Sequence, residues 1–152
     1  MRRSGFVAIG IVLFWAGFVS SISFMEAWLK FQAPGVTLPI GLSIGKKVFT
    51  ALNRMEWIFL LAYSSVLFFA VKLKKSEILI VSVTVAVILS IQTFFLLPAL
   101  VERANQIING QTVGKSLVHI SFGILEVLKV SGLIFLGFRL NHHQNSLKFL
   151  QK

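Results

Sequence analysis

The chain has 152 residues, of which 56% are hydrophobic, and carries a formal net charge of +10 from 15 Lys and Arg against 5 acidic residues. This composition is too apolar for an ordinary soluble domain, and the length suits one domain. The absence of cysteine excludes disulfides, thiolate metal sites and cysteine redox chemistry. The basic residues lie mainly at the ends of apolar runs, which is typical of membrane helices rather than of nucleic-acid-binding proteins. We therefore predict the lipid bilayer as a partner, and no nucleic acid.

The first apolar run covers residues 5–27 and follows two arginines. Such a start imitates a signal peptide, but the run exceeds a usual signal core, so we interpret it as a retained first helix. The stretch SISFMEAWLKFQAPG closes the run with Glu26, Trp28 and Lys30 before Pro34 and Gly35 break the helix. These charges are either a boundary marker, with Glu26 and Lys30 paired at i,i+4, or part of a site.

The second apolar run is centred on residues 57–71, and a helical pattern leads into it from about residue 40. This lead-in is either a surface amphipathic helix or an extension of helix two beyond the bilayer, and we favour the extension. Its GLSIG sequence, 41–45, fits the spacing of small residues at close helix contacts. The short link at 72–76, KLKKS, predicts an antiparallel hairpin with helix three.

The third run covers 77–97, and Pro98 is expected to disturb the helix at or near the preceding residues. An apolar stripe continues beyond it to a helix stop at Asn109 and Gly110. The fourth run covers 117–138. No run alternates with period two, so we predict an all-α fold, a four-transmembrane-helix bundle running up-down-up-down, with helices two and three extended beyond the bilayer. The predicted transmembrane domain is 1–140, followed by a polar C-terminal tail, 141–152.

The basic flanks favour one orientation in the cell or inner membrane. Eight Lys or Arg lie on the side of both termini and six on the other side, out of 15 in all with Lys129 inside the fourth run. This slight bias predicts that both termini are cytoplasmic.

Charged residues recur at one depth on three of the predicted helices. A span of about 30 Å, counted back from residue 72, brings Arg54 and Glu56 to the outer boundary of helix two. Glu26 lies about 31 Å along helix one, and His119 enters helix four from the same side. We therefore expect these four side chains to lie at one level.

Other polar residues are predicted nearer the bilayer midplane. Glu126 lies about 14 Å into helix four, Lys129 is one turn deeper, and Tyr63 of helix two reaches a similar depth. Gln92 of helix three adds another polar group. An ionised side chain facing lipid costs a few kcal/mol or more, so Glu126 and Lys129 should face the bundle interior or each other.

Two interpretations of these residues stay open. Glu126 and Lys129 either pair at i,i+3 to hold the bundle together, or they belong to a pocket with the residues above. His119 is either a packing residue or a ligand. Because the Glu-x-x-His spacing of di-iron bundles is absent and His119 is the single His in a membrane run, we predict no metal and no cofactor.

Three stretches, FWAGFVSSISF, GLSIGKKVFTALNRMEW and LVHISFGILEVLKVSGLI, resemble the four-helix membrane proteins of the transmembrane-205-like and anthrone-oxygenase-like domain-of-unknown-function families. The layout is also similar to DoxX-like membrane proteins, which have an acidic residue near the start of helix two, as Glu56 is here. Neither resemblance implies a settled activity or a catalytic residue.

The leading functional prediction is a binding or accessory membrane protein with a polar intramembrane pocket. Its candidate lining residues are Glu26, Arg54, Glu56, Tyr63, Gln92, His119, Glu126 and Lys129. One alternative is a membrane oxidoreductase or oxygenase-like enzyme with His119 and Glu126 as acid and base. Another is a proton-coupled small transporter that acts as an oligomer, with Glu126 as the carrier. A homo-oligomer or a membrane-complex partner fits any of these.

Overall fold

The computed structural model describes residues 2–70, 76–114 and 116–149, and all regular structure in these ranges is helical. Two π-helical segments, Ser21–Glu26 and Gln92–Leu96, continue α1 and α4, and a 3-10 turn covers Lys30–Gln32. The α-helices are α1 Arg2–Ser20, α2 Ala27–Leu29, α3 Leu38–Ala70, α4 Ser76–Ile91, α5 Leu97–Ile108 and α6 Val118–Phe149.

Within the described ranges these segments form four continuous helical rods, one for each predicted apolar run. The first rod runs from α1 through the 3-10 turn, the second is α3, the third runs from α4 through α5, and the fourth is α6. The link predicted at 72–76 falls mostly outside the described residues. The polar tail is helical as far as Phe149, and residues 150–152 lie outside the described part.

The first rod continues past the predicted end at residue 27 to Gln32. The rod thus ends just before Pro34 and Gly35, the residues predicted to break the helix. Ala33 is extended, and Gly35 has φ 81°, in the left-handed region that glycine adopts at little cost. The chain can therefore reverse directly into α3.

The lead-in to helix two belongs to one unbroken helix of 33 residues, α3. At about 1.5 Å per residue this helix is about 50 Å long, well over a hydrocarbon thickness of about 30 Å. The predicted continuity of this segment with the apolar run is confirmed. Gly41 and Gly45 of the GLSIG sequence face the first rod, because a Cβ on Gly41 would overlap the Phe31 ring and one on Gly45 would lie 3.0 Å from Lys30 Nζ.

The third rod changes from α- to π-geometry over the residues just before Pro98. This irregularity lies where Pro98 was expected to disturb the helix, since its ring crowds the preceding turn and its nitrogen cannot donate. The rod resumes as α5 and ends at Ile108, followed by Asn109 as the C-cap and Gly110 at φ 76°. The predicted helix stop is confirmed.

Hydrogen bonds between the second and third rods show that they run in opposite directions. Lys46 near the start of α3 binds Asn105 near the end of α5, at 2.7 Å. Tyr63, near the other end of α3, binds Ser82 near the start of α4, at 2.9 Å. The two rods are thus antiparallel, as predicted for a hairpin.

The core lies where the faces of the rods meet. Gly137 of α6 packs closely on the first rod, since a Cβ there would lie 2.8 Å from Leu13 Cδ2. Gly132 packs on α4, since a Cβ there would lie 3.2 Å from Val85 Cγ2. The buried apolar core consists of Ala8, Val12, Trp15, Ala16, Val19, Leu52, Tyr63, Ile78, Val85, Leu89, Leu133, Leu136 and Leu140.

Three stretches of the described residues are long and apolar enough to cross a membrane: Ser4–Gln32, Ser76–Ile108 and Val118–His143. In an apolar 18-residue segment of each stretch, only 33%, 28% and 33% is buried within the chain. Apolar helices with so much outward surface suggest a membrane protein. The fourth predicted span, in α3, stays a prediction, because α3 is not among these three stretches.

Candidate functional site

Five polar side chains from all four rods meet at one buried place. They are Trp15 of α1, Glu56 of α3, Gln92 at the first position of the second π segment, and Glu126 and Lys129 of α6, and we call them the buried cluster. Each is at most 1% exposed. Burial this complete is rare for charged residues unless they are paired.

The Lys129 ammonium is the centre of this cluster. Its Nζ lies 2.6 Å from Glu56 Oε1 and 3.2 Å from Glu126 Oε1. It also donates to Gln92 Oε1 at 2.7 Å. Three acceptors therefore match the three N–H donors of an ammonium, so that its desolvation is offset by a full set of charge-assisted bonds.

Two neutral side chains complete the network. The Gln92 Nε2 amide donates to Glu126 Oε1 at 3.1 Å, while its carbonyl oxygen accepts from Lys129. The Trp15 indole Nε1 donates to Glu56 Oε1 at 3.1 Å. Each carboxylate therefore receives one bond from Lys129 and one from a neutral donor.

The cluster is unbalanced in charge. When all three ionisable groups are ionised, two carboxylates face one ammonium, and no second cation is in contact with them among the described residues. Glu126 Oε2 is buried and has no hydrogen-bond partner in the described part of the chain. A buried oxygen without a donor carries a desolvation cost of about 1–3 kcal/mol or more, which a bound proton or ligand at this atom would reduce.

Gln92 reaches the cluster from an irregular part of its helix. It opens the π segment Gln92–Leu96, and its side chain is fully buried. A π turn contains one residue more than an α turn, which changes the direction in which the following side chains point. Such segments are frequent at functional sites. The segment lies next to Pro98, whose effect on the helix was predicted, although its link to Gln92 was not.

A second, half-buried polar contact between α3 and the third rod lies about one turn from Glu56. Thr93 Oγ1 accepts from Asn53 Nδ2 at 2.9 Å and from Trp57 Nε1 at 3.0 Å. The same hydroxyl donates to the Leu89 carbonyl oxygen at 2.7 Å. This contact ties the second rod to the third beside the cluster and helps to fix the position of Glu56.

Tyr63 is buried, but its hydroxyl is bound outside the cluster. The Ser82 hydroxyl donates to the Ile78 carbonyl oxygen at 2.6 Å, so the Tyr63 hydroxyl is the donor in its 2.9 Å bond to Ser82. Tyr63 lies two helical turns from Glu56 on α3, about 10 Å along the axis. It therefore belongs to the packing between α3 and α4.

Three other predicted pocket residues do not join the cluster. Glu26 pairs with Lys30 at 3.1 Å near the end of the first rod, which is the boundary-marker alternative. Arg54 is exposed, because two residues of helix rotate it away from the buried face that holds Glu56. His119 is exposed at the start of α6.

The sequence did not identify Trp15 as a site residue. Its position with Ala8, Val12 and Val19 on one face of α1 indicates burial, but nothing in that pattern distinguishes an indole bonded to a carboxylate from one that only fills space. The described residues contain no group of three or more His, Cys, Asp or Glu that could hold a metal ion.

In comparisons with known proteins, no family model, no curated protein and no solved structure matches the chain. The resemblances to four-helix membrane families therefore stay predictions.

Proposed function

We propose that this chain is an integral protein of the cell or inner membrane, a four-helix bundle that runs up-down-up-down with both termini on the cytoplasmic side. Its support is the match of four rods to four apolar runs, the antiparallel second and third rods, and the outward apolar surface of three rods. The second and third rods are about 50 Å long, so both extend past a hydrocarbon layer of about 30 Å.

We further propose that the protein is a binding protein whose buried cluster holds one proton in addition to those of Lys129. The observation that carries this proposal is the position of a single ammonium between two buried carboxylates, with Glu126 Oε2 unpartnered. An uncompensated charge buried among apolar helices costs several kcal/mol. One bound proton removes it and gives one carboxyl group a hydrogen to donate.

The packing of the cluster favours a proton over a larger ligand. Glu56 Oε1, Glu126 Oε1, the Gln92 amide and the Lys129 ammonium already bind one another or Trp15. Glu126 Oε2 is buried and has no hydrogen-bond partner among the described residues. A proton needs no further space, whereas a polar small molecule would have to displace bonds that now compensate buried charge.

The experiment is the pH dependence of unfolding in detergent micelles for wild type and Glu126→Gln. A folded state that holds one more proton than the unfolded chain loses stability as pH rises, by about 1.4 kcal/mol per pH unit. Glu126→Gln replaces the titratable carboxyl group with a neutral amide, so we expect its stability to depend less on pH. The control Glu102→Gln changes an exposed residue and should keep the wild-type slope. Equal slopes in wild type and Glu126→Gln would refute the bound proton.

A proton-coupled transporter is the second candidate, because Gln92 links the cluster to the π segment. A change in that segment would alter the bonds of both Glu126 and Lys129. In proteoliposomes containing a pH-sensitive dye, this candidate predicts a proton flux that Glu126→Gln abolishes and Glu102→Gln preserves. The enzyme alternative has no comparable support, because His119 is exposed two turns away from the buried Glu126.

A further inference from the structure

A groove of about 450 Å³ lies between the first part of α3 and α5, away from the buried cluster. Its lining residues are Lys46, Lys47, Thr50, Ala51, Arg54 and Val101. Three of these six are cations and none is acidic. Positions 47, 50, 51 and 54 follow the i, i+3, i+4, i+7 spacing of one helix face, which brings Lys47 and Arg54 to the same side of α3.

The positive charge of the groove is not neutralised within the described part of the chain. The ion pairs found there join Lys30 to Glu26, Lys129 to Glu56 and Glu126, and Arg139 to Glu77, and none includes a cation of the groove. The nearest acidic residue in sequence, Glu102, does not line the groove, and its Oε1 accepts from Gln106 at 3.3 Å.

One wall of the groove is held in place. Lys46 Nζ donates to Asn105 Oδ1 at 2.7 Å, which fixes its ammonium against α5, and its other two N–H groups have no acceptor among the described residues. The Thr50 hydroxyl donates to the Lys46 carbonyl oxygen at 2.7 Å. Lys47 and Arg54 are exposed. The groove therefore combines one oriented ammonium with two cations that a ligand can order.

We propose that this groove binds a phosphate group, a function separate from the proton site. Arg binds phosphate oxygens through its planar fork, and Lys adds a compact charge. Arg54 lies about 4.5 Å along α3 from Trp57, where the apolar run begins, and Lys47 about 15 Å. This is the level of lipid headgroups in the proposed membrane placement, and Ala51 and Val101 add apolar contact. The phosphate belongs either to an anionic lipid headgroup or to free phosphate.

The test uses the full chain and the double variant Lys47→Gln/Arg54→Gln. Lipid binding is measured as retention of phosphatidylglycerol by native mass spectrometry after transfer from nanodiscs, with phosphatidylcholine as the comparison. Inorganic phosphate is titrated separately in a neutral detergent. Each basic residue near the membrane surface contributes about 1 kcal/mol, and about 1.4 kcal/mol corresponds to a tenfold change in affinity. We therefore expect the double variant to bind about thirtyfold more weakly.

The matched control is Arg2→Gln/Arg3→Gln, which removes the same charge at the start of α1 and should bind as wild type does. Retention of phosphatidylglycerol without binding of inorganic phosphate assigns the site to a lipid headgroup, and binding of both probes assigns it to phosphate in general. The proposal is overturned if wild type binds neither probe, or if the groove variant and the control lose affinity equally. Because Lys47 and Arg54 are exposed and outside the ion pairs, we expect the double variant to fold as wild type does. A loss of binding therefore reports on the groove itself.

Discussion

Lys129 Nζ of α6 lies 2.6 Å from Glu56 Oε1 of α3, and both side chains are almost completely buried. The pair joins two rods that are far apart in sequence. Breaking a buried pair by removing one partner leaves an uncompensated charge, which costs about 3–5 kcal/mol. This contact should therefore dominate the polar contribution to the stability of the bundle.

Replacing Lys129 with Met should lower the free energy of unfolding by about 3–5 kcal/mol, since two carboxylates then face each other without a cation. Unfolding in mixed micelles with increasing SDS measures the loss. The control Lys47→Met changes an exposed Lys and should stay within about 0.5 kcal/mol of wild type. Similar losses in both variants would mean that Lys129 is not paired in the folded protein.

Replacing Trp15 with Phe should remove the 3.1 Å bond from the indole to Glu56 while keeping most of the buried ring. Hydrogen bonds to charged groups contribute about 1.5–3 kcal/mol, and we expect a loss of that order in the same assay. Trp28→Phe is the matched control, because Trp28 is 53% exposed and should tolerate the change. If Trp15→Phe leaves the free energy of unfolding unchanged, the indole does not stabilise Glu56.

Replacing Thr93 with Val keeps the shape of the side chain but removes the acceptor that Asn53 and Trp57 share. Two donors near the cluster then lose their partner, and we expect a loss of about 1–3 kcal/mol. Thr84→Val removes a hydroxyl that donates only to its own helix, to the Ile80 carbonyl oxygen at 3.0 Å, and should cost much less. If the two variants unfold alike, the contact at Thr93 does not tie the rods together.

Replacing Gly41 with Ala should destabilise the turn between the first rod and α3, because the new methyl group overlaps the Phe31 ring. Overpacking of this kind costs about 1–3 kcal/mol. At Gly17 the same change meets nothing within 4 Å, so Gly17→Ala should stabilise α1 by about 0.5–1 kcal/mol. Opposite signs for the two changes are expected in thermal unfolding, and a neutral or stabilising Gly41→Ala would contradict the close packing.

Membrane energetics predicted the inward position of Glu126 and Lys129, since a charge on an apolar helix must find a partner. Glu56 was selected by its depth at the outer boundary of helix two, and Gln92 as a polar group near the bilayer midplane. Depth alone could not separate Glu56 from Arg54, because two residues of helix turn side chains toward opposite sides. Depth likewise selected His119, which is exposed at the start of its helix.

The remaining parts of the site depend on contacts between rods. Trp15 joins the cluster because its indole meets Glu56 from another helix, and the sequence of α1 does not encode that partner. The π geometry at Gln92 was also beyond prediction, although Pro98 marked the region. The helices themselves were predictable, because long apolar runs in lipid must satisfy their backbone groups internally.

The infrared spectrum of the protein in nanodiscs, with ¹³C-labelled Glu, tests the central claim most directly. The chain has 5 acidic residues, all Glu, so few labelled carboxyl groups contribute. At neutral pH we predict the band of one protonated Glu in wild type and in Glu102→Gln, and its loss in Glu126→Gln. A wild-type spectrum containing only ionised Glu would contradict a proton bound between Glu56, Glu126 and Lys129.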